Sequence, residues 1–562
     1  MAACGLVLSG CGAQYRPVVS AINPVGPAGQ PTKYVIAASN TTPFGATTES
    51  PGLITFVDFA GDTVLGTPSV VPFPAPTTAP TATTAATPTY VNPLLFTVSN
   101  SGSEAFLVNQ EGLFDSFFTS SPTTLLTQDI VPQTLAAGAA PVGVQTFLLP
   151  STGQTIFIPQ SGLGTIAELE FSSSASLIQN LAIANPVYTV GVDSNASRVY
   201  ALSSAGVAYP VENSPVSVDY PGITVGTNPV YGVMTADGKR AFILNKGSST
   251  VSVINVPSNA LDSGVAGGTI TLPALTKQAE ITGWSVAGGV ATFTGANTFV
   301  AGDSIKLSGF TTGAALNGQT VTVTGTPTTQ TFQATVTGIA TTTSATEYGV
   351  ATGSTATIPA SPIWADLSPL TSEVVVLEQG DGINTGAIDV IQIPLCNAGS
   401  PATNPNCSTT NPVDATGFGT IVFRTRVGVN PSMLSVLNDG TRVYIADSGI
   451  LPNVVSGLTG GQDGSLSVVN IVSGIRTTRI PATSNLATVA ADESNVSTGA
   501  AVANVIFGHP NTIVAVIGSP TGKVYTTSTD SQYLSVEETD TEAIRTHISL
   551  QGTGIRVLST AM

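Results

Sequence analysis

A unit of 43 to 48 residues recurs along this chain, and it limits the possible folds more than any other feature. Its clearest copy is NPVYGVMTADGKRAFILNKGSSTVSVINV, from Asn228 to Val256. The copy reads as strand, Asp-Gly turn, strand, polar turn, strand. Asp237-Gly238 suits a two-residue hairpin, in which both central positions favour φ > 0. Val251, Val253, Ile254 and Val256 supply the β-branched enrichment of a mostly buried strand. Variants begin at Asn92-Pro93, Pro141, Asn185-Pro186, Pro362, Asn430-Pro431 and His509-Pro510, and the steps from Pro93 through Pro141 and Pro186 to Pro229 are 48, 45 and 43 residues. A four-stranded propeller blade takes about 40–50 residues, whereas a β-helix repeats at roughly half that length. A leading proline fits, because it cannot donate to a ladder and sits best at the first residue of a strand.

Seven such units follow from Pro93. The N-terminal stretch KYVIAASN, GLITFVDF, DTVLGT offers three strands without a first, and the C-terminal GIRVLSTA offers one strand without successors. Joined, they make an eighth blade and remove the edges an open ring would leave. The expected fold is therefore all-β: an eight-bladed β-propeller (seven if one degenerate unit is misread) closed by a blade shared between the two ends. The propeller occupies 30–279 and 357–562. The step from Pro229 to Pro362 is 133 residues, and the surplus, Glu280 to Ala356, alternates Val, Thr and Phe around an Asn317-Gly318 turn. It predicts a small inserted β-sandwich or barrel, either a ligand-contacting module or a passive decoration of a tolerant loop. Thr77 to Thr89, TTAPTATTAATPT, is low-complexity and reads as a surface loop.

The repeats resemble the YVTN-type propeller unit: N-P, an apolar strand, D-G-K/T-R, a Y-V-T/A-N-like strand, then S-V-S-V-I-D/N. Residues 228–256 carry FILN in place of YVTN, and 430–471 carry YIAD. The resemblance implies a bacterial or archaeal surface protein or a relative of lactonase-type propellers.

Charged residues are 9% of the chain, against about 25% in ordinary soluble domains, and the net charge is −17 because Lys and Arg are scarce. That balance excludes nucleic acid as a partner, which needs clustered bases. It also disfavours electrostatic attachment to anionic lipid, and it suits an extracytoplasmic protein. The opening MAACGLVLSGCGAQ lacks the basic start of a secretory signal. Leu8-Ser9-Gly10-Cys11 resembles the lipobox of bacterial lipoproteins, which implies lipidation of Cys11, residues 1–11 as a signal remnant with a start further upstream, and the outer membrane as destination. The membrane, through this anchor, and an envelope protein or glycan are the partners expected. Cys396 and Cys407 bracket the loop CNAGSPATNPNC and read as a disulfide, which would restrict the unfolded chain by about 3 kcal/mol.

Chemistry is sparse. No GxSxG elbow, HExxH cluster, Walker loop or dinucleotide-binding glycine pattern is present. No catalytic residue, metal site or cofactor is therefore expected. His509 stands where other units have Asn before Pro and is expected to face one end of the central channel; His547, in THISL, is expected partly exposed on an outer strand. Arg198, Arg240, Arg442 and Lys523 follow the hairpin turns at equivalent places and read as rim charges. The function expected is a non-enzymatic, lipid-anchored interaction module. A lactonase-like hydrolase would need His, Arg and carboxylates converging on the channel, and a carbohydrate binder would need exposed aromatics, which are only 6% of the chain.

Overall fold

A computed structural model describes residues 33–560 apart from 41–51, 66–69, 73–92, 110–111, 123, 126–128, 193–195, 197, 369–372, 394–416, 452–461, 485–490, 493–494, 496–497, 499, 519–520 and 551. Cys11, Cys396, Cys407 and the Thr77–Thr89 stretch lie outside the described residues. No helix among the described residues is long and apolar enough to cross a membrane.

Eight four-stranded antiparallel blades close into a propeller. The shared blade, here blade 1, has Gly554–Ser559 as its innermost strand, followed outward by Tyr34–Ser39, Leu53–Asp58 and Thr63–Val64. Blades 2 to 5 begin at Pro93–Val98, Gln145–Leu149, Pro186–Val190 and Pro229–Met234; blades 6 to 8 begin at Pro362–Ser368, Pro431–Val436 and Pro510–Val516. The second strand of each blade is covered on both sheet faces by neighbouring blades, so it reads as a continuous buried run, as in Arg240–Asn245 and Lys523–Ser528. Outermost strands are wet: in Ala175–Ala182 six of the eight residues are exposed. Eight apolar clusters each join two adjacent blades, and the last, with Val35, Val57, Tyr525 and Leu534, joins blade 8 to blade 1. The ring is closed by packing as well as by strand pairing.

The repeat residues have physical reasons. The residue before the leading proline takes a left-handed conformation in several blades (Asn185 φ 50°, Asn228 φ 50°, Asn430 φ 49°), which Asn tolerates best among residues with a Cβ. Its carbonyl accepts the N–H just past the second strand, as in Lys246 to Asn228 and Ser448 to Asn430, both 3.0 Å. The last residue of the second strand reaches the serines of the third. Asn245 donates to Thr250 Oγ1 (3.1 Å) and Ser252 Oγ (3.0 Å), and Asp447 accepts from Ser465 (3.1 Å) and Ser467 (2.6 Å). The pairing of FILN with TVS and of YIAD with SLS is thus a buried polar couple inside each blade.

The insertion is a closed six-stranded barrel, not a sandwich. Its first and last strands, Leu275–Ala287 and Thr342–Ile358, begin before and end after the span expected from sequence, and they pair with each other over much of their length. Its core holds Trp284, Phe293, Phe299, Phe310 and Phe332. It is fastened to blades 6 and 7: Arg479 meets Glu280 with two bonds (3.1 and 2.8 Å), and Gln462 accepts from Ala296 N–H (2.9 Å).

Candidate functional site

Six inner strands start at their leading proline and then slip register. In blades 2, 4, 5, 6, 7 and 8 the irregularity falls between the proline and the residue two places on. Bulges of this kind re-aim a side chain. In blades 4, 5 and 6 the residue so placed is aromatic: Tyr188, Tyr231 and Trp364. In blade 1 the equivalent residue, two after Gly554, is Arg556, also beside a register shift.

These four side chains meet inside the propeller. Tyr188 and Tyr231 lie 4.6 Å apart between ring centroids, tilted by 40°. Tyr231 stacks on Trp364 at 4.2 Å and 24°. The Arg556 guanidinium reaches from the far side and sits 5.3 Å from the Trp364 ring centre, a cation–π contact. They line a central cavity of about 710 Å³ to which inner strands of all eight blades contribute. The remaining wall mixes apolar side chains, including Leu95, Val144, Val190, Met234, Met433, Ile513 and Leu558, with the polar Thr97, Asn100, Gln145, Thr146, Thr189, Ser435 and Asp366. A cavity of this size suits a small organic ligand.

The polar groups differ in how fully they are engaged. Gln145 Oε1 accepts from Thr189 N–H (3.2 Å) and Oγ1 (2.8 Å). Asp366 accepts backbone N–H bonds from Leu367 (2.8 Å) and from Val436 of the next blade (2.9 Å), so its carboxylate holds blade 6 to blade 7. Arg556 Nε is buried with no hydrogen-bond partner among the described residues. Burial pushes its pKa down, opposed only by the phenols of Tyr231 and Tyr188. Burial also drives Tyr231 well above the ordinary tyrosine range, so the phenol is neutral.

The histidines are elsewhere. His509 is 4% exposed and does not contribute to the cavity lining. Its Nδ1 lies 2.7 Å from Asp530 Oδ2 and its N–H donates to Asp530 Oδ1, also at 2.7 Å. Burial disfavours the imidazolium, but the bond to Asp530 outweighs it and the pKa rises. The channel-facing place expected for His509 is thus replaced by a buried pair at the start of blade 8. His547 is not partly exposed either: it is 3% exposed, stacked on Phe507 at 4.3 Å and held by Asp492 (2.6 Å) and Val505 O (3.0 Å). The short strand Ile506–Phe507, an addition to the outer edge of blade 7, accounts for its cover. No group of three or more His, Cys, Asp or Glu among the described residues could hold a metal ion.

The cations after the hairpin turns, expected as rim charges, are bonded within or between blades, two of them buried (Arg240 and Lys523) and two partly exposed (Arg198 and Arg442). Lys523 is 4% exposed, and its Nζ reaches Phe59 O (2.5 Å) and Asp62 Oδ1 (2.7 Å) of blade 1. Arg198 donates to Val256 O of blade 5 (2.8 Å), Arg442 to Thr539 O of blade 8, and Arg240 pairs with Asp262 inside its own blade.

The aromatic cluster was missed in sequence because composition was weighed and position was not. NPVY at 185–188 and 228–231, PIW at 362–364 and GIR at 554–556 each put the bulky residue two places on from the first residue of the inner strand, although GIR also occurs at 474–476 outside an inner strand. Three aromatics brought to one point outweigh a low overall aromatic content.

No known protein family and no curated protein matches the sequence. Solved propellers resemble it in outline. Apo AztD from Citrobacter koseri has 8% identity, covers 94% of this chain and 97% of its own, and gives a TM-score of 0.36. PpgL, a periplasmic gluconolactonase of Pseudomonas aeruginosa, has 14% identity, covers 80% and 95%, and gives 0.40. The Cps50 (Swd1) β-propeller domain of Myceliophteria thermophila has 8% identity, covers 81% and 96%, and gives 0.38. At these scores the likeness carries no functional argument.

Proposed function

We propose that this chain is a non-catalytic binding protein of a bacterial cell envelope, and that its ligand is a small organic molecule held in the central channel. The observation that carries this reading is the convergence of Tyr188, Tyr231 and Trp364, from three consecutive blades, in one cavity. A lactonase-like reading would need histidine and free carboxylates beside Arg556. Both histidines are engaged away from the cavity, and Asp366 is committed to backbone N–H groups.

Trp284 and Trp364 are the only tryptophans, and Trp284 lies in the barrel. In Trp284→Phe, Trp364 becomes the single reporter of the channel. Titration with a panel of charged and neutral aromatic compounds is expected to give saturable changes in its emission with some members. Those changes should be lost in the Trp284→Phe, Tyr231→Ala double variant. Flat titrations across the panel would overturn the reading. Attachment through a lipid on Cys11 belongs to the same proposal and rests on the lipobox-like Leu8–Cys11. Incorporation of a clickable fatty acid should disappear in Cys11→Ala, and equal labelling of both proteins would remove the anchor.

A further inference from the structure

Several buried cations elsewhere in this molecule face carboxylates, and Arg426, which does not, donates to Thr276 O (2.6 Å) and to Gln278 Oε1 (3.4 Å). Arg424 is bonded to Asp389 and Glu378, Arg479 to Glu280, Lys523 to Asp62 and Arg240 to Asp262. Arg556 is different: it projects from the innermost strand of blade 1 into the central cavity and lies over the Trp364 ring, with Nε lacking any partner among the described residues. Leaving a guanidinium donor unpaired in such a place is costly. Asp366, the carboxylate on the cavity wall, is occupied by two backbone N–H groups. A guanidinium placed over an aromatic face keeps a planar fork of donors that can meet a carboxylate with two parallel bonds.

We infer that the channel ligand is an organic monocarboxylate with a planar, apolar body. The carboxylate meets Arg556, and the body lies among Tyr188, Tyr231 and Trp364. The inference rests on the channel reading above and adds the charge and shape of the ligand. Arg556 is the one cationic residue among the described lining, which argues for one charged end rather than several, since a second anionic group would be buried without a cation to meet it.

The test uses the full chain and two probes that differ only in charge, 4-hydroxycinnamate and 4-hydroxycinnamamide, with affinities read by calorimetry at low salt. The acid is expected to bind at least tenfold more tightly than the amide to the unaltered protein. In Arg556→Gln that preference should vanish while the amide binds as before, and Arg556→Lys should keep a reduced preference. If Arg556→Gln does not fold, Arg556→Lys and the salt dependence of acid binding give the same reading. Equal affinity for acid and amide, or an acid preference that survives Arg556→Gln, overturns the anionic ligand and leaves the channel reading standing. Binding of neither probe, together with flat titrations of the wider panel, overturns both.

Discussion

The junction of blades 8 and 1 and the junction of blades 7 and 8 use the same sequence positions and are satisfied unequally. In each, the first residue of a second strand is a cation that reaches a carbonyl just past the third strand of the next blade. Three residues beyond that carbonyl sits a left-handed residue, Asp62 (φ 53°) in one case and Glu542 (φ 50°) in the other. At the 8–1 junction Asp62 faces Lys523 (2.7 Å), the Tyr525 hydroxyl (3.1 Å) and Arg545 (2.8 Å), and Lys523 also lies over the Phe59 ring. At the 7–8 junction Arg442 meets Thr539 O and lies 3.4 Å from Glu542, but Glu542 turns to Thr477 and Thr478. The Tyr444 hydroxyl and both carboxylate oxygens of Glu537 are buried without hydrogen-bond partners among the described residues. The better-satisfied junction is the one that ties the C-terminal part of the chain to the N-terminal part. There, paired charges supplement apolar packing at the point where the ring must close.

The largest expected effect comes from Asp62→Asn. Asn tolerates φ > 0, so the turn survives while the charge is lost. Lys523 then stays buried without its counter-ion, and unfolding free energy should fall by about 3 kcal/mol in chemical denaturation. Glu542→Gln, at the matching place, removes a partly exposed and long (3.4 Å) contact and should cost under about 1 kcal/mol. Equal losses in the two variants would mean that the junctions are energetically alike despite their different bonding.

Much of this architecture was legible in the sequence. The period, the leading prolines, the Asp-Gly turns and the split blade led to eight blades, because those signals arise within one repeat and are read locally. The cations after the turns were visible as a recurrence, but the burial of Lys523 was not, since its partner carboxylate lies in another blade. Asp62 and Lys523 are far apart along the chain and meet only when the ring shuts. The candidate site was legible as NPVY, NPVY, PIW and GIR, yet it takes the bulge after each proline to turn those residues inward. His509 misled because it does replace the Asn before Pro. Its backbone carbonyl even accepts the equivalent bond, from Thr529 (3.3 Å), while its ring is taken by Asp530.

The second effect is pH-dependent and isolates Glu537. Its carboxyl is pushed up to about 8, first by burial and then by Glu542, with Arg442 opposing; the Tyr444 ring packs close by and is itself pushed up, chiefly by burial. Between the ordinary glutamate pKa and about 8 the folded protein holds a proton that the unfolded chain releases, so this residue's contribution to stability falls as pH rises. Glu537→Gln removes that slope. The variant should stay within about 1 kcal/mol of the unaltered protein near pH 5 and exceed it by a margin that widens steadily towards pH 8. Asp447, pushed up to about 7 mainly by burial, has the same sign, but it is present in both proteins and cancels in the difference. A constant offset between pH 5 and pH 8 would show that Glu537 ionises freely in the folded state.

The smallest effect separates the junctions at a single atom. Tyr525 and Tyr444 occupy the same place in adjacent blades, two residues after Lys523 and Arg442. Tyr525→Phe deletes a hydroxyl that donates to the Asp62 carboxylate, and bonds to charged acceptors contribute about 1.5 kcal/mol or more. Tyr444→Phe deletes a buried hydroxyl that bonds to nothing among the described residues. That removal should be neutral or stabilise by up to about 1 kcal/mol, because the folded state no longer desolvates an unpaired group. Thermal melts of the two variants at pH 6, where Glu537 is protonated in the folded protein, should therefore shift in opposite directions or leave only Tyr525→Phe shifted. A loss in Tyr444→Phe as large as that in Tyr525→Phe would mean that protonated Glu537 donates to the Tyr444 oxygen, and the two junctions would then differ in charge alone.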